Sequence, residues 1–217
     1  MKTITIAIAL ICLTVVEFTC GSPSGIKGDG VIKTEDRKVS GFSKVVVAGA
    51  YEVKWTPGEP ALTISTDQNL LPHIKTEVSG GALRIESTED LRPTKGTTIT
   101  ISSESLAGVE LSGANTFTAG HLSGGDLKLE SSGASTINAD GSVTNLTVNL
   151  TGACALHAIS LQVQTATLSL TGASTADVNV ADALKASITG ASSVTYSGNP
   201  KSIDKSVTGA GTIQHRQ

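Results

Sequence analysis

Apolar and polar residues alternate in steps of two along much of the chain, which is the pattern of β-strands. The clearest runs are LKLE at 127–130, LTVNL at 146–150, LSLT at 168–171 and VNVA at 178–181. An amphipathic helix would instead place its apolar residues three and four positions apart. The alternation therefore predicts an all-β protein made of short strands.

A four-residue motif recurs at a nearly constant spacing, and it consists of an aliphatic residue, a hydroxyl residue, glycine and alanine. Its glycines are 20, 19, 20, 18 and 19 residues apart and stand at Gly113, Gly133, Gly152, Gly172, Gly190 and Gly209. Self-similarity at a fixed period is typical of solenoids, in which each turn stacks on the one before it. Together with the alternation, it predicts a parallel β-helix with turns of about 19 residues over 106–217.

Stacking places each residue above its counterpart one turn earlier, so the residues at one position of the repeat form a column. Successive residues of each column must be able to pack against one another. The glycine column suits a corner that other residues could not adopt, and the alanine after it is expected at a tight, inward-facing corner. The hydroxyl residues before the glycine predict a ladder of Ser112, Ser132, Thr151, Thr171, Thr189 and Thr208. Cys154 shares its column with Asn115, Ser135, Ser174, Ser192 and Gly211, which indicates a small ladder residue rather than a nucleophile.

Residues 30–105 contain less regular versions of the same motif. This part is expected to form irregular turns of the solenoid or a β-cap on the end of the solenoid. Strands are predicted at 44–47, 51–55, 61–65, 74–78, 82–86 and 97–102. The last turn finishes in polar and charged residues, which would discourage pairing of its edge with another chain.

The first residues differ from the rest of the chain. Lys2 precedes an apolar run that ends near Cys20, which predicts a secretory signal peptide over 1–19. A cysteine at this point resembles the processing site of bacterial lipoproteins, so Cys20 is the predicted lipidation site and 20–29 a flexible tether; simple cleavage of the signal is the alternative. The expected partner is then a membrane, and the location the cell envelope, as a lipoprotein of the outer membrane on either of its faces.

Composition narrows the function. Six aromatic residues and one methionine among 217 leave an aliphatic core, and a net charge of −3 without long runs of one sign argues against nucleic-acid binding. With Cys12 in the signal and Cys20 acylated, Cys154 has no disulfide partner.

The stretch from 41 to 87, GFSKVVVAGAYEVKWTPGEPALTISTDQNLLPHIKTEVSGGALRIES, is followed by repeats of LSGAN, SSGASTIN and LTGAS. This order of features resembles the bacterial family called putative auto-transporter adhesin, head GIN domain, over nearly all of 30–213. The resemblance implies a right-handed parallel β-helix in the cell envelope, and it brings no catalytic motif with it.

Three residues are candidates for ligand binding. His157 and Asp177 fall one turn apart in the column five residues after each glycine, and Trp55 stands at a strand end where it could stack on a sugar. No Arg or Lys joins that column, and neither a cofactor nor a metal site is expected. We therefore expect a non-enzymatic, adhesin-like module for a glycan or protein ligand; the alternatives are a carbohydrate-active enzyme using His157 and Asp177, or a structural spacer.

Overall fold

The computed structural model describes residues 25–216, which form seventeen strands and one short 3-10 turn at Leu71–His73. The strands are β1 (Ile26–Lys27), β2 (Ile32–Arg37), β3 (Lys44–Gly49), β4 (Glu52–Pro57), β5 (Ala61–Asp67), β6 (Ile74–Ser79), β7 (Ala82–Ser87), β8 (Leu91–Arg92), β9 (Thr98–Ser103), β10 (Gly108–Gly113), β11 (Thr116–Gly133), β12 (Thr136–Gly152), β13 (Ala155–Gly172), β14 (Thr175–Gly190), β15 (Ser193–Ser197), β16 (Ser202–Gly209) and β17 (Thr212–His215). The predicted all-β solenoid is confirmed, with about five turns of roughly 20 residues.

Successive turns pair in parallel along almost their whole length. Strands β11 and β12 are in register from Thr116 opposite Thr136 to Gly133 opposite Gly152, and β12, β13 and β14 continue in the same way. The register slips between Ala119 and Leu122, where β11 meets β12, which marks a bend between straight segments. The predicted hydroxyl ladder stacks residue on residue along this sheet.

The glycine column forms one corner of the coil. Gly172 has a φ of +101°, and a Cβ built on it would lie 2.6 Å from the carbonyl oxygen of Gly152 on the turn before. Only glycine combines this backbone conformation with so close a stacking distance. The glycine of the repeated motif is therefore required for the turns to stack.

The expected place of the alanine column was wrong. Ala173 and its counterparts are exposed, because the in-and-out alternation of side chains continues through the corner and gives the alanine the outward position. The inward position belongs to the next column, where Asn115, Ser135, Cys154, Ser174 and Ser192 are at most 2% exposed.

Polar side chains are tolerated at this inward corner because they bond to the neighbouring turns. Ser174 Oγ donates to the carbonyl of Gly152 at 3.2 Å and accepts from the amide of Cys154 at 3.3 Å. Ser192 Oγ accepts from the amide of Ser174 at 3.0 Å. The Cys154 thiol is 2% exposed and lies 3.7 Å from the carbonyl of Gly133, so it is a ladder member, as the column predicted.

The N-terminal part continues the same sheet in a different chain order. Strands β3 and β4 stack on the first regular turn, β7 and β9 stack below them in parallel, and β6, β5 and β2 close this end as antiparallel strands. Each of the six strands predicted here coincides with an observed strand, whereas β1, β2 and β8 had no prediction.

The signal peptide, Cys20 and residues 20–24 of the expected tether lie outside the described residues. Residues 25–29 were expected to be flexible, but they are held in the fold. The amide of Ile26 donates to the carbonyl of Asp90 at 2.8 Å and that of Gly28 to the carbonyl of Arg92 at 2.9 Å. No helix within residues 25–216 is long and apolar enough to cross a bilayer.

The C-terminal end of the stack carries an inward-pointing charge. Ile203, Lys205 and Val207 of β16 continue core columns, and the two aliphatic residues are each 44% exposed because no further turn covers them within the described chain. Lys205 lies opposite the buried Ala186; its ammonium group donates to Tyr196 Oη at 3.1 Å and lies 4.6 Å from the centre of the ring. A charge directed into the column opposes stacking of another chain on this edge.

Candidate functional site

The structure brings His157 and Asp177 together on the outer surface. They are register partners on β13 and β14, with His157 Nδ1 3.7 Å from Asp177 Oδ2. Arg216 reaches the same carboxylate from the end of the chain, with Nη2 3.4 Å from Oδ1. The sequence did not indicate this basic partner, because Arg216 lies two positions beyond Gln214, the residue in the same column as His157 and Asp177.

The cluster of His157, Asp177 and Arg216 is open to solvent. The His157 and Arg216 side chains are each about half exposed, and none of the three residues lines the corner pocket below Gly49. Ion pairs this exposed contribute at most about 1 kcal/mol and do not desolvate a reacting group. Within residues 25–216, no group of three or more His, Cys, Asp or Glu side chains is placed to hold a metal ion.

Trp55 is a core residue and not a surface platform, which corrects the expectation for it. Its side chain is 2% exposed, and Nε1 donates to Ser103 Oγ at 2.9 Å. The alternation of β4 directs Val53 and Trp55 to the same inner face. A sugar therefore has no access to the indole ring.

A pocket that no sequence pattern predicted lies at the corner below Gly49. Between the paired positions Ala48 and Glu52, three residues (49–51) make the corner, whereas eleven residues (87–97) join the corresponding positions Glu86 and Thr98 on the turn below. The longer connection leaves the corner open. The resulting concavity has a volume of about 500 Å³.

Tyr51 closes the inner end of this pocket. It occupies the inward corner column that Asn115 and Ser135 continue, and its amide donates to Asn115 Oδ1 at 3.1 Å. The ring packs against Gly49, where an added Cβ would lie 2.6 Å from Cε2. The only sign of this pocket in the sequence was an aromatic residue, Tyr51, in a column of small residues.

The hydroxyl of Tyr51 completes no hydrogen bond, although the Ser87 hydroxyl lies close to it. Tyr51 is 5% exposed, and its Oη is the one buried side-chain oxygen or nitrogen in the described part of the chain that lacks a partner. Burial raises the pKa of Tyr51; the nearby Ser87 hydroxyl acts in the opposite direction, and the negative charge of Glu86 adds to the increase. The group is therefore a neutral phenol at the edge of a cavity.

The rim of the pocket is fixed by the segment that carries the chain into the fold. Strands β1 and β8 pair in parallel, with Ile26 opposite Leu91 and Lys27 opposite Arg92. Behind them, the buried Asp67 carboxylate accepts from the amide and hydroxyl of Thr94, each at 2.8 Å, and from the amide of Gly30 at 2.7 Å. The backbone of this rim is thus held in place.

The fold and surface together define a class: a β-solenoid that carries long outward rows of side chains and a corner pocket. The chain belongs to the family described as putative auto-transporter adhesin, head GIN domain, whose model matches residues 41–200. This confirms the resemblance seen in the sequence.

Solved structures of similar fold include proteins of Bacteroides and Parabacteroides species. A putative adhesin from Bacteroides fragilis superposes with a TM-score of 0.74 at 22% identity, covering 88% of this chain and all of the other. A putative lipid binding protein from Parabacteroides distasonis gives 0.57 at 21% identity over 89% of this chain, and a putative adhesin from Parabacteroides merdae 0.55 at 20% over 90%, each covered completely. No curated protein matches the chain. At these identities the likeness concerns the fold alone.

Proposed function

We propose that this chain is a non-enzymatic, adhesin-like protein of the cell envelope, anchored to the outer membrane by a lipid on Cys20, whose solenoid binds a glycan or protein ligand. The observation that carries the proposal is the stack of turns itself, which exposes continuous rows of hydroxyl, amide and charged side chains over five turns. Membership of an adhesin family supports it.

The position of Gly25 supports a defined orientation on the membrane. Gly25 follows Cys20 by five positions, which limits their distance to about 18 Å. Nine strands stack from β6 to β16, so the far end of the solenoid lies roughly 38 Å from this end. An anchored molecule would hold its N-terminal end close to the bilayer and direct the His157 and Asp177 row away from it.

Anchoring is tested by metabolic labelling with an alkyne-bearing fatty acid. The wild-type protein should incorporate the label and partition into the membrane fraction, and Cys20→Ala should lose both properties. Cys154→Ser is the matched control, since its buried thiol should take no label. A labelled Cys20→Ala protein, or an unlabelled wild type, would contradict the lipid anchor.

Ligand binding is tested on cells. Deletion of the gene should reduce attachment to mucus glycans and to host-cell protein preparations, while leaving envelope integrity against detergents intact. Labelling of intact cells with a membrane-impermeant amine reagent reports whether the solenoid faces the exterior. Normal attachment combined with a fragile envelope would instead favour the role of structural spacer.

A second candidate function, carbohydrate cleavage, rests on the cluster of His157, Asp177 and Arg216. A histidine beside a carboxylate can transfer protons, and a guanidinium can bind an acidic sugar. A screen of polysaccharides for cleavage that His157→Ala abolishes would establish it. Cleavage that persists in His157→Ala, or no cleavage at all, leaves the binding function as the better supported one.

A further inference from the structure

The corner pocket below Gly49 has the features of a built binding site. Its volume of about 500 Å³ falls in the range of small-ligand pockets. Its rim is braced by β1 and by the Asp67 carboxylate, so a ligand would not have to order it. Organisation of this kind before binding lowers the entropic cost of binding.

The unpartnered hydroxyl of Tyr51 points to a ligand. A buried polar group without a hydrogen bond is costly, and native proteins contain few of them. Tyr51 Oη lies beside Gly49 and next to Ser87, and both residues line the pocket. A ligand hydroxyl that enters between them would supply the missing bond.

The remaining lining selects the chemistry of that ligand. Asp90 places at the rim a carboxylate that accepts hydrogen bonds, and the positive charge of Arg92, whose side chain already has an interaction of its own, balances it. Vicinal hydroxyls of a sugar each donate and accept, so one can donate to the Asp90 carboxylate and its neighbour can accept from the Tyr51 hydroxyl without adding a net charge. Leu91 and Pro93 provide apolar walls for the C–H faces of a ring.

We propose that this pocket binds one neutral sugar unit, with Tyr51 Oη and the Asp90 carboxylate as its principal hydrogen-bonding groups. The site names a class of ligand for the proposed adhesin-like function. Only the biological role of the site rests on that function, and sugar binding itself does not. Its place beside Gly25 puts it near the membrane in an anchored molecule. The sugar could therefore come from a free glycan or from the headgroup of a glycolipid.

The test measures binding of neutral methyl glycosides to the full chain, purified from membranes in detergent, by ligand-observed and amide-shift NMR. At least one glycoside should bind with a dissociation constant below about 10 mM and shift the amide signals of Ala50, Ser87 and Leu91. A second arm offers glycolipid-containing vesicles. Binding to free glycosides would show that the sugar ring alone is sufficient for binding. Binding only to the vesicles, and its loss in Tyr51→Phe, would identify the sugar of a glycolipid headgroup as the ligand.

Tyr51→Phe separates a ligand-binding hydroxyl from a structural one. The variant should bind sugar about three- to tenfold more weakly, while its thermal stability without sugar should not fall, because the hydroxyl has no partner to lose. Asp90→Asn should weaken binding about tenfold or more. Tyr196→Phe is the matched control: this buried tyrosine bonds to Lys205, so its removal should lower stability and leave sugar affinity unchanged.

Three results would overturn the proposal. They are the absence of binding by any neutral glycoside or glycolipid vesicle, shifts confined to amides outside the pocket, and competition by inorganic phosphate or free amino acids at the same concentrations. All are measured on purified protein, so they are independent of cell attachment and of lipidation. A sugar-binding pocket in a protein whose deletion leaves attachment unchanged would refute the adhesin role and keep the site.

Discussion

Replacement of Gly172 by alanine tests the stacking explanation of the repeat. The φ of +101° costs an alanine about 1–2 kcal/mol. The new Cβ would also lie 2.6 Å from the carbonyl oxygen of Gly152, well inside van der Waals contact, so the turns must separate locally. That separation weakens the hydrogen bond from the amide of Ala173 to the same carbonyl, now 2.8 Å, which is worth about 1 kcal/mol.

These contributions amount to a loss of about 3 kcal/mol, or roughly 6–12 °C in Tm for a chain of this size. Urea denaturation followed by circular dichroism measures the free energy of unfolding. Gly125→Ala is the matched control, because Gly125 has no positive φ and an added Cβ there meets no atom within 4 Å. It should be neutral or stabilise by up to about 1 kcal/mol. If Gly172→Ala unfolds within about 0.5 kcal/mol of wild type, the stacking explanation is refuted.

Three further predictions concern the two ends and the corner of the solenoid. Burial acts to raise the pKa of Asp67, but hydrogen bonds from Thr94 and Gly30 outweigh it and lower that pKa. The ionised Asp67 therefore stabilises the folded protein above the unfolded pKa of about 4, and this stabilisation is lost as the pH falls through the lower folded value. Thermal melts between neutral and acidic pH should therefore show a loss that Asp67→Asn flattens, and an equally steep loss in that variant would contradict the assignment. Lys205→Leu should make the protein self-associate in a concentration-dependent way by sedimentation velocity, whereas Lys185→Leu on the outer face should not. Cys154→Ser should unfold within about 1 kcal/mol of wild type, because serine already fills that column on neighbouring turns, and the native thiol should react with maleimide only after unfolding.

The sequence predicted the solenoid because one physical rule acts on every turn. Stacked columns must accept contact with themselves, so glycine, hydroxyl and aliphatic residues recur at a fixed spacing and can be read without coordinates. The same rule placed Cys154 in a ladder and paired His157 with Asp177. It failed for the alanine column, because the period does not specify whether the alternation of side chains continues through the corner, and in the structure it does continue.

The sequence alone thus determined the all-β class, the repeating turn and the family resemblance, each of which depends on local periodicity. Only the tertiary structure decided the features that arise where periodicity ends. The burial of Trp55, the approach of Arg216 to Asp177 and the pocket floored by Tyr51 all depend on contacts between distant, non-repeating segments. Such contacts follow from the path of the chain through space, in particular from an eleven-residue connection on one turn meeting a three-residue corner on the next.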